Sequence, residues 1–157
     1  MELLLWRHAE AADTVPDIER KLTHKGRQQA DIMAHWLKPR IPKGTRILVS
    51  PALRTQQTAS ALSDDFITHD ELSPGADPAA ILKLAGWPDA KGAVLLVGHQ
   101  PTLGMTAALA MTGKPSYWSV KKGSVWWLSS RTREGAEQAT LRAAIAPDLI
   151  LPDSSDQ

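Results

Sequence analysis

The sequence predicts an α/β fold in three layers, α/β/α, with a mostly parallel central sheet. Short apolar runs, suited to strands buried on both faces, alternate with segments whose apolar residues recur at helical spacing. Helix-start signals, a capping residue followed by proline, come soon after several of these runs. Such alternation is typical of parallel sheets covered by helices. The length of 157 residues predicts one domain over 1–150 and a disordered tail over 151–157.

The composition restricts the classes of function. The chain contains no cysteine, which excludes thiol catalysis, thiolate metal sites and disulfides and favours a cytoplasmic location. Lysine and arginine number 18 against 17 acidic residues, so no net field attracts nucleic acid or an anionic membrane. No apolar stretch approaches the ~20 residues that a membrane span needs. We therefore expect a soluble protein without nucleic-acid or membrane partners, whose anion binding is local.

The first strand and the dipeptide after it define a candidate site. An apolar run, Leu3 to Trp6, ends abruptly in Arg7 and His8, and a polar loop over 9–22 follows. Ligands of open α/β sheets bind at the carboxyl ends of strands, so this loop is expected to border the site. A guanidinium matches phosphate oxygens, and an imidazole can attack or shuttle protons. For an isolated Arg-His pair a solvated strand end is the simpler interpretation, so partners elsewhere must decide.

The sequence next predicts a helix, a strand and a second helix. Thr23 predicts the N-cap of a helix to about Lys38, with a buried face formed by Ala30, Met33, Ala34 and Leu37. The run 46–49 predicts the second strand. Ser50 and Pro51 then predict the N-cap and first residue of a helix over 51–62, which carries Arg54 near a positive helix end.

A short strand over 66–69 and a turn-rich loop over 70–75 follow. Asp77 before proline predicts the N-cap of another helix that Gly86 ends. Phosphate ester cleavage needs a proton donor for the leaving group. Glu71 is the first candidate for that role. Asp77 is the second, because it has a structural explanation as a cap.

The run 93–97 predicts the most buried strand, and it ends in Gly98, His99 and Gln100. Pro101 predicts the start of a helix that Gly113 ends. The remaining chain predicts strands over 117–120, 124–129 and 140–146, which extend one edge of the sheet as a hairpin or meander. Alternation would place Val125 and Trp127 on one face and Trp126 and Leu128 on the other.

Three predicted strand ends carry the residues of interest. The carboxyl ends of parallel strands meet at one rim of a sheet, so Arg7, His8, Arg54 and His99 are expected to converge there. Two guanidinium groups and two imidazoles in one place are suited to phosphoryl transfer. The five histidines show no metal-ligand spacing, so a divalent-metal hydrolase is disfavoured and we expect no metal and no cofactor.

The chain resembles the histidine phosphatase superfamily, the phosphoglycerate-mutase-like group, and in its compactness most resembles the SixA-type phosphohistidine phosphatases. The matching strings are LLLWRHAE, LTHKGRQQA, SPALRTQQTA and VLLVGHQP, in the family's order, between residue 2 and about residue 110. Ala9 follows His8 where many relatives have glycine, and the local motif that marks the mutases' acid is absent.

The resemblance implies a role for each residue. His8 would be the nucleophile that takes the phosphoryl group, Arg7 and Arg54 would clamp its oxygens, and His99 would stabilise their charge. Gln100 and Arg20 are further candidates for substrate binding at the pocket rim, and a surface role is an equal alternative for Arg20. Glu71, with Asp77 second, stays the candidate proton donor because of its position in the chain.

The predicted function is a metal-independent phosphatase with a phospho-His8 intermediate. Its predicted substrate is a phosphorylated protein, specifically phosphohistidine, with a histidine phosphotransfer domain as one possible partner and phosphate as the product. The chain between Arg54 and Gly98 is too short for a large capping insertion, so the pocket mouth should be open. The alternatives are a phosphatase of small phosphate esters or a phosphomutase on the same core, and, from another class, a catalytically silent phosphate-binding module.

Overall fold

The computed structural model describes residues 1–150, so the predicted tail over 151–157 lies outside the described residues. Six strands and four α-helices form the main elements of this part of the chain, with three short 3₁₀ helices between or after them. In order they are β1 (Glu2–Arg7), α1 (His24–Leu37), β2 (Arg46–Val49), α2 (Leu53–Ser60), β3 (Ile67–Thr68), α3 (Pro78–Ala85), β4 (Ala93–Gly98), α4 (Thr102–Thr112), β5 (Val125–Arg133) and β6 (Ala136–Ile145).

One six-stranded sheet, in the order β3-β2-β4-β1-β5-β6, forms the centre of the fold. The first four strands of that order are parallel to one another, and β5, antiparallel to β1, forms an antiparallel hairpin with β6 at one edge. The prediction of an α/β fold with a mostly parallel sheet is therefore confirmed. The carboxyl ends of β1, β4 and β2 lie side by side, and this arrangement sets up the site.

Each face of the sheet has its own apolar core. Leu4 and Trp6 of β1 pack on one face in a cluster that includes Met33 of α1. Leu3 and Leu5 point the other way, into a cluster that includes Ile81 of α3 and Leu103 of α4. Successive side chains of a strand alternate between faces, so a strand covered on both sides must be apolar throughout. The run Leu3 to Trp6 is fully buried for this reason.

Helix starts follow the predicted capping signals at two of three places. The Thr23 hydroxyl accepts a hydrogen bond from the N–H of Gly26 at 3.0 Å, and Asp77 accepts one from Ala79 at 3.3 Å. The predicted start of α2 is wrong: the helix begins at Leu53, with Ala52 at its N-cap, and ends at Ser60. The hydroxyl of Ser50, expected to cap this helix, accepts from the N–H of Ala52 at 3.3 Å and also lies 2.7 Å from Nε2 of His99.

The C-terminal third differs from its prediction in one missing strand and in the length of its hairpin. The predicted strand over 117–120 does not form: the segment is irregular and leaves Tyr117 82% exposed. The hairpin is longer than predicted, because Glu134 and Gly135 form its turn with φ angles of 54° and 76°. Val125 and Trp127 do face one core and Trp126 and Leu128 the other, as predicted. Among the helices over 1–150, none has the length and apolar character needed to cross a membrane.

Candidate active site

The carboxyl ends of three neighbouring strands bring the predicted residues together. His8 follows β1, and its backbone N–H donates to the carbonyl of Gly98 in β4 at 3.1 Å. The rings of His8 and His99 lie with their centroids 5.4 Å apart. Arg54 lies in the first turn of α2, after β2, and its charge lowers the pKa of both histidines. The four side chains thus form one cluster at the rim of the sheet.

His8 is held as a neutral imidazole with one defined tautomer. Its side chain is buried, and its Nδ1 lies 2.7 Å from the carbonyl oxygen of Ala9. A carbonyl oxygen can only accept, so Nδ1 carries the ring proton and Nε2 keeps its lone pair. Burial, reinforced by the charges of Arg54 and Arg7, lowers the pKa of His8 to about 4 although the Ala9 contact opposes this. His8 is therefore suited to act as a nucleophile through Nε2 at neutral pH.

His99 is also buried and neutral. Its Nε2 lies 2.7 Å from the hydroxyl oxygen of Ser50, a fully buried residue. Burial, together with the charges of Arg54 and of His8, lowers the pKa of His99 to about 3. The interpretation of Ser50 as a helix cap missed this contact. The position of Ser50 directly after a strand, at the same rim as His99, was the signal in the sequence.

A different loop anchors each arginine. Arg54 donates through Nη1 to the carbonyl oxygen of Asp17 at 2.8 Å and through Nη2 to its carboxylate at 3.1 Å. Arg7 donates through Nη1 to the carbonyl oxygen of Val120 at 2.9 Å, and burial lowers the pKa of its guanidinium. The loop between β1 and α1 thus holds one guanidinium, and the loop between α4 and β5 holds the other. In both cases the anchor uses only part of the guanidinium's five donors.

Buried donors without protein partners concentrate in this cluster. Within residues 1–150, four buried side-chain atoms have no hydrogen-bond partner, and three of them are Nε of Arg7, Nε of Arg54 and Nδ1 of His99. The fourth is Oγ of Ser124. Native proteins satisfy the great majority of buried polar groups, so a local group of exceptions indicates function. The three atoms can donate to the oxygens of a bound anion.

The structure adds an acidic residue that the sequence interpretation missed. Asp17 contacts Arg54 and also receives a 3.3 Å hydrogen bond from Arg20. Its limited burial raises the pKa of the Asp17 carboxyl, but the two arginines outweigh this and the pKa is lowered overall. The signal was available: Asp17 lies in the loop after the first strand, which was expected to border the site. Arg20, predicted at the rim, contacts Asp17, and its charge contributes to lowering the pKa of His8.

The two predicted proton donors lie in other surroundings. Glu71 is in a short 3₁₀ turn after β3, 57% exposed, with a carboxylate oxygen 3.6 Å from Nδ1 of His69. β3 is the outermost strand, and β2 separates it from β4. Asp77 caps α3. The donor role of Glu71 stays a prediction, and the carboxylate that the structure places against a site arginine is Asp17.

Gln100 holds the loop between α4 and β5. Its side-chain amide donates to the carbonyl oxygen of Trp118 at 2.9 Å and accepts from the N–H of Gly104 at 2.7 Å. The loop approaches α4 so closely that a Cβ at Gly104 would collide with the Trp118 carbonyl oxygen. Substrate binding by Gln100 stays a prediction, while the observed contacts give it a structural role beside the site.

Known proteins are similar to this chain in both sequence and fold. The histidine phosphatase superfamily (branch 1) matches residues 3–74. An uncharacterized protein of Picosynechococcus sp. is 36% identical over 143 residues, which cover 83% of this chain and 86% of that protein. Phosphohistidine phosphatase SixA of Escherichia coli is 30% identical over 123 residues, covering 73% of this chain and 76% of that protein.

Among solved structures, the protein histidine phosphatase SixA complexed with tungstate superposes with a TM-score of 0.75 at 27% identity, covering 94% of this chain and 98% of that one. The likeness in fold therefore extends well beyond residues 3–74, over 94% of this chain. The chain belongs to the histidine phosphatase superfamily and is a phosphatase.

Proposed function

We propose that the protein is a metal-independent phosphatase that removes the phosphoryl group from phosphohistidine on a partner protein, through a covalent intermediate on His8. The observation that carries this proposal is the group of buried, unpartnered donors of Arg7, Arg54 and His99 around a neutral imidazole. These donors suit a phosphoryl group, and the imidazole supplies the nucleophile.

In the first step, the Nε2 lone pair of His8 attacks phosphorus. The P–N bond of the substrate breaks, and its electron pair goes to the leaving imidazole, which takes up one proton from solvent water. Nε of Arg7, Nε of Arg54 and Nδ1 of His99 donate to the equatorial oxygens as their charge develops. A phosphoramidate has a labile P–N bond, so this step needs little help from an acid.

In the second step, water attacks phosphorus of phospho-His8, the bond to Nε2 breaks, and inorganic phosphate leaves. Asp17 is the proposed acceptor of the proton from that water. Its carboxylate lies 3.1 Å from Nη2 of Arg54, and the arginines keep its pKa low, so it is charged at neutral pH. A charged carboxylate is suited to accept a proton and unsuited to donate one.

Metal independence is proposed because the site supplies its own positive charge. Phosphoryl transfer requires mainly positioning and electrostatic stabilisation. Two anchored guanidinium groups provide both, with Arg20 as a third cation nearby. We also propose a cytoplasmic location, to which the cysteine-free sequence is suited.

Exposed apolar side chains on the two anchoring loops support a protein substrate. The β1–α1 loop carries Val15, which is 94% exposed, and Ile18, which is 52% exposed, next to the Asp17 that holds Arg54. The α4–β5 loop carries Tyr117, 82% exposed, in the segment whose Val120 holds Arg7. Apolar side chains beside a reactive centre suit contact with another protein. A small metabolite would instead require an enclosing set of polar contacts.

The test compares kcat/KM for a phosphohistidine-bearing phosphotransfer domain with that for a panel of small phosphate esters and a small phosphoramidate. We expect the phosphoprotein to be preferred by a factor on the order of 10². Ile18→Ser and Tyr117→Ser should lower kcat/KM for the phosphoprotein and leave the small phosphoramidate unaffected. Leu141→Ser, at an exposed position in β6, is the matched control and should change neither. A small ester preferred by orders of magnitude would overturn the protein substrate.

A further inference from the structure

Ser50 makes a contact in the active site that its predicted role as a helix cap does not explain. It is fully buried at the carboxyl end of β2, and its Oγ lies 2.7 Å from Nε2 of His99. The N–H of Ser50 donates to the carbonyl oxygen of Val97 at 3.1 Å, and the Gln56 side chain donates to the carbonyl oxygen of Ser50 at 2.8 Å, so its backbone is fixed. Ser50 is therefore a rigidly held hydroxyl in contact with a site imidazole.

We propose that Ser50 is a positioning residue that donates its hydroxyl hydrogen to Nε2 of His99, and so fixes the tautomer in which Nδ1 carries the proton that binds the phosphoryl group. The phosphoryl-binding part of this proposal rests on the proposed function. The tautomer itself is a property of the free protein.

The direction of the hydrogen bond follows from the neighbours of the hydroxyl. A serine hydroxyl has one hydrogen to donate and two lone pairs. Within the described residues, Oγ of Ser50 has two hydrogen-bond neighbours, Nε2 of His99 and the N–H of Ala52 at 3.3 Å, which can only donate. If Nε2 also donated, the hydroxyl hydrogen would be buried without an acceptor, which costs about 1–3 kcal/mol. Donation from Ser50 to Nε2 avoids that cost.

The tautomer determines whether His99 attracts or repels the substrate. With Nε2 as acceptor, the proton of the neutral ring is on Nδ1, the buried atom that has no protein partner. An N–H at this position donates to a phosphoryl oxygen, whereas the other tautomer would place a lone pair against that oxygen. The low pKa of His99, about 3, agrees with a neutral ring in which the tautomer matters. Ser50 thus makes His99 a donor without a positive charge.

The test reads the tautomer directly, by nitrogen-15 NMR of histidine side chains in the free protein at neutral pH. We expect His99 to carry its proton on Nδ1 in the wild type. In Ser50→Ala we expect a shift toward protonation of Nε2 and a fall in kcat on the order of 10-fold to 10²-fold, with KM changing less, because one preorganised donor is lost. Ser50→Thr keeps the hydroxyl and should restore both the tautomer and kcat. Turnover is measured with p-nitrophenyl phosphate, so that the result is independent of the physiological substrate.

Ser124→Ala is the matched control, since Ser124 is also buried but its hydroxyl has no hydrogen-bond partner within the described residues. It should leave the tautomer of His99 unchanged. A wild-type His99 protonated on Nε2 overturns the proposal without any variant, even if Ser50→Ala does not fold. An unchanged tautomer and kcat in a folded Ser50→Ala would overturn it equally. Failure of the phosphohistidine substrate leaves both readouts valid, so the two proposals can fail separately.

Discussion

Two arginines in this fold occupy opposite situations. Arg142, on the outer strand β6, is 49% exposed, donates to the Glu2 carboxylate at 2.7 Å and lies with its guanidinium carbon 4.8 Å from the ring centroid of Trp127. Trp127 donates to the other oxygen of the same carboxylate at 3.3 Å. Arg54 is 5% exposed, and its two terminal nitrogens donate hydrogen bonds to Asp17. Its buried Nε has no protein partner.

The difference separates a structural arginine from a functional one. An exposed, paired arginine contributes about 0–1 kcal/mol to stability, because water screens it and would solvate it almost as well. A buried guanidinium that is incompletely hydrogen-bonded lowers the stability of the free protein. A bound anion can supply the missing hydrogen bonds. Unpartnered donors at the carboxyl ends of β1, β4 and β2 therefore lower local stability in the free protein. The same donors are available to bind a phosphoryl group.

The largest effect is expected at the nucleophile. His8→Ala should lower turnover by about 10⁴-fold or more, because the covalent route is lost. The variant should still fold at neutral pH, because His8 follows β1 outside the apolar cores and its lowered pKa affects stability only below about pH 6.5, where the unfolded state takes up the proton. Steady-state kinetics and thermal unfolding of the same preparation check both parts. Substantial residual turnover by a folded variant would contradict the assignment.

A pair of arginine substitutions tests the comparison itself. Arg54→Ala should lower kcat/KM on the order of 10²-fold to 10³-fold, as expected for one preorganised group that stabilises transition-state charge. Arg142→Ala should leave kcat/KM within about twofold and lower stability by about 1 kcal/mol or less. Chemical denaturation measures the second effect. Equal losses of activity in the two variants would show that Arg54 is no more functional than Arg142.

Two carboxylate substitutions sharpen the description of proton transfer. Asp17→Asn should slow hydrolysis of the phosphoenzyme on the order of 10²-fold, because the water loses its proton acceptor. Glu71→Gln should have little effect on a phosphoramidate, because its carboxylate lies beside His69 and not beside a site arginine. Single-turnover kinetics separate formation and decay of the intermediate. If Glu71→Gln slows alkyl phosphates much more than phosphoramidates, Glu71 is the acid predicted from the sequence.

The smallest change is expected on moderate acidification. Burial, with the charges of Arg54 and Arg7, lowers the pKa of His8 from 6.5 to about 4, so the nucleophile stays unprotonated well below neutrality. After correction for ionisation of the substrate, kcat/KM should change by less than about twofold between pH 7.5 and 5.5. An acid limb with an apparent pKa near 6.5 would show that His8 is not desolvated as described.

Stability should respond to pH in the same range. Unfolded histidine binds a proton near pH 6.5, whereas folded His8 does so only near 4, so the unfolded state binds more protons between these values. The free energy of unfolding should therefore fall as pH decreases from about 6.5 to about 4. Denaturation of the wild type and of His8→Ala at several pH values checks this, with a shallower dependence expected in the variant.

The sequence was sufficient to predict the sheet, both helix layers and the meeting of four site residues, because strand polarity places consecutive strand ends on one rim. It was insufficient where long-range contacts override local signals. Ser50 has the local signature of a helix cap, but the strand beside it brings His99 within hydrogen-bond distance. Asp17 lies in the loop expected to border the site, but no local pattern marks its contact with Arg54, which joins that loop to α2.

The segment over 117–120 is a second place where long-range contacts override the local sequence signal. Its aromatic and β-branched residues favour a strand. The structure instead uses the carbonyl groups of Trp118 and Val120 to accept from Gln100 and Arg7, which leaves the segment irregular. Such backbone contacts depend on tertiary structure, and side-chain patterns do not encode them.

The most direct test of the account is the position of the phosphoryl group in the intermediate. The protein is mixed with a radiolabelled phosphodonor, quenched rapidly in alkali and digested, and the labelled residue is located by mass spectrometry and NMR. Because Nδ1 of His8 is held by the Ala9 carbonyl oxygen at 2.7 Å, the account predicts an alkali-stable, acid-labile phosphoryl group on Nε2 of His8. Label on another residue, label on Nδ1 of His8, or label that persists in His8→Ala would contradict it.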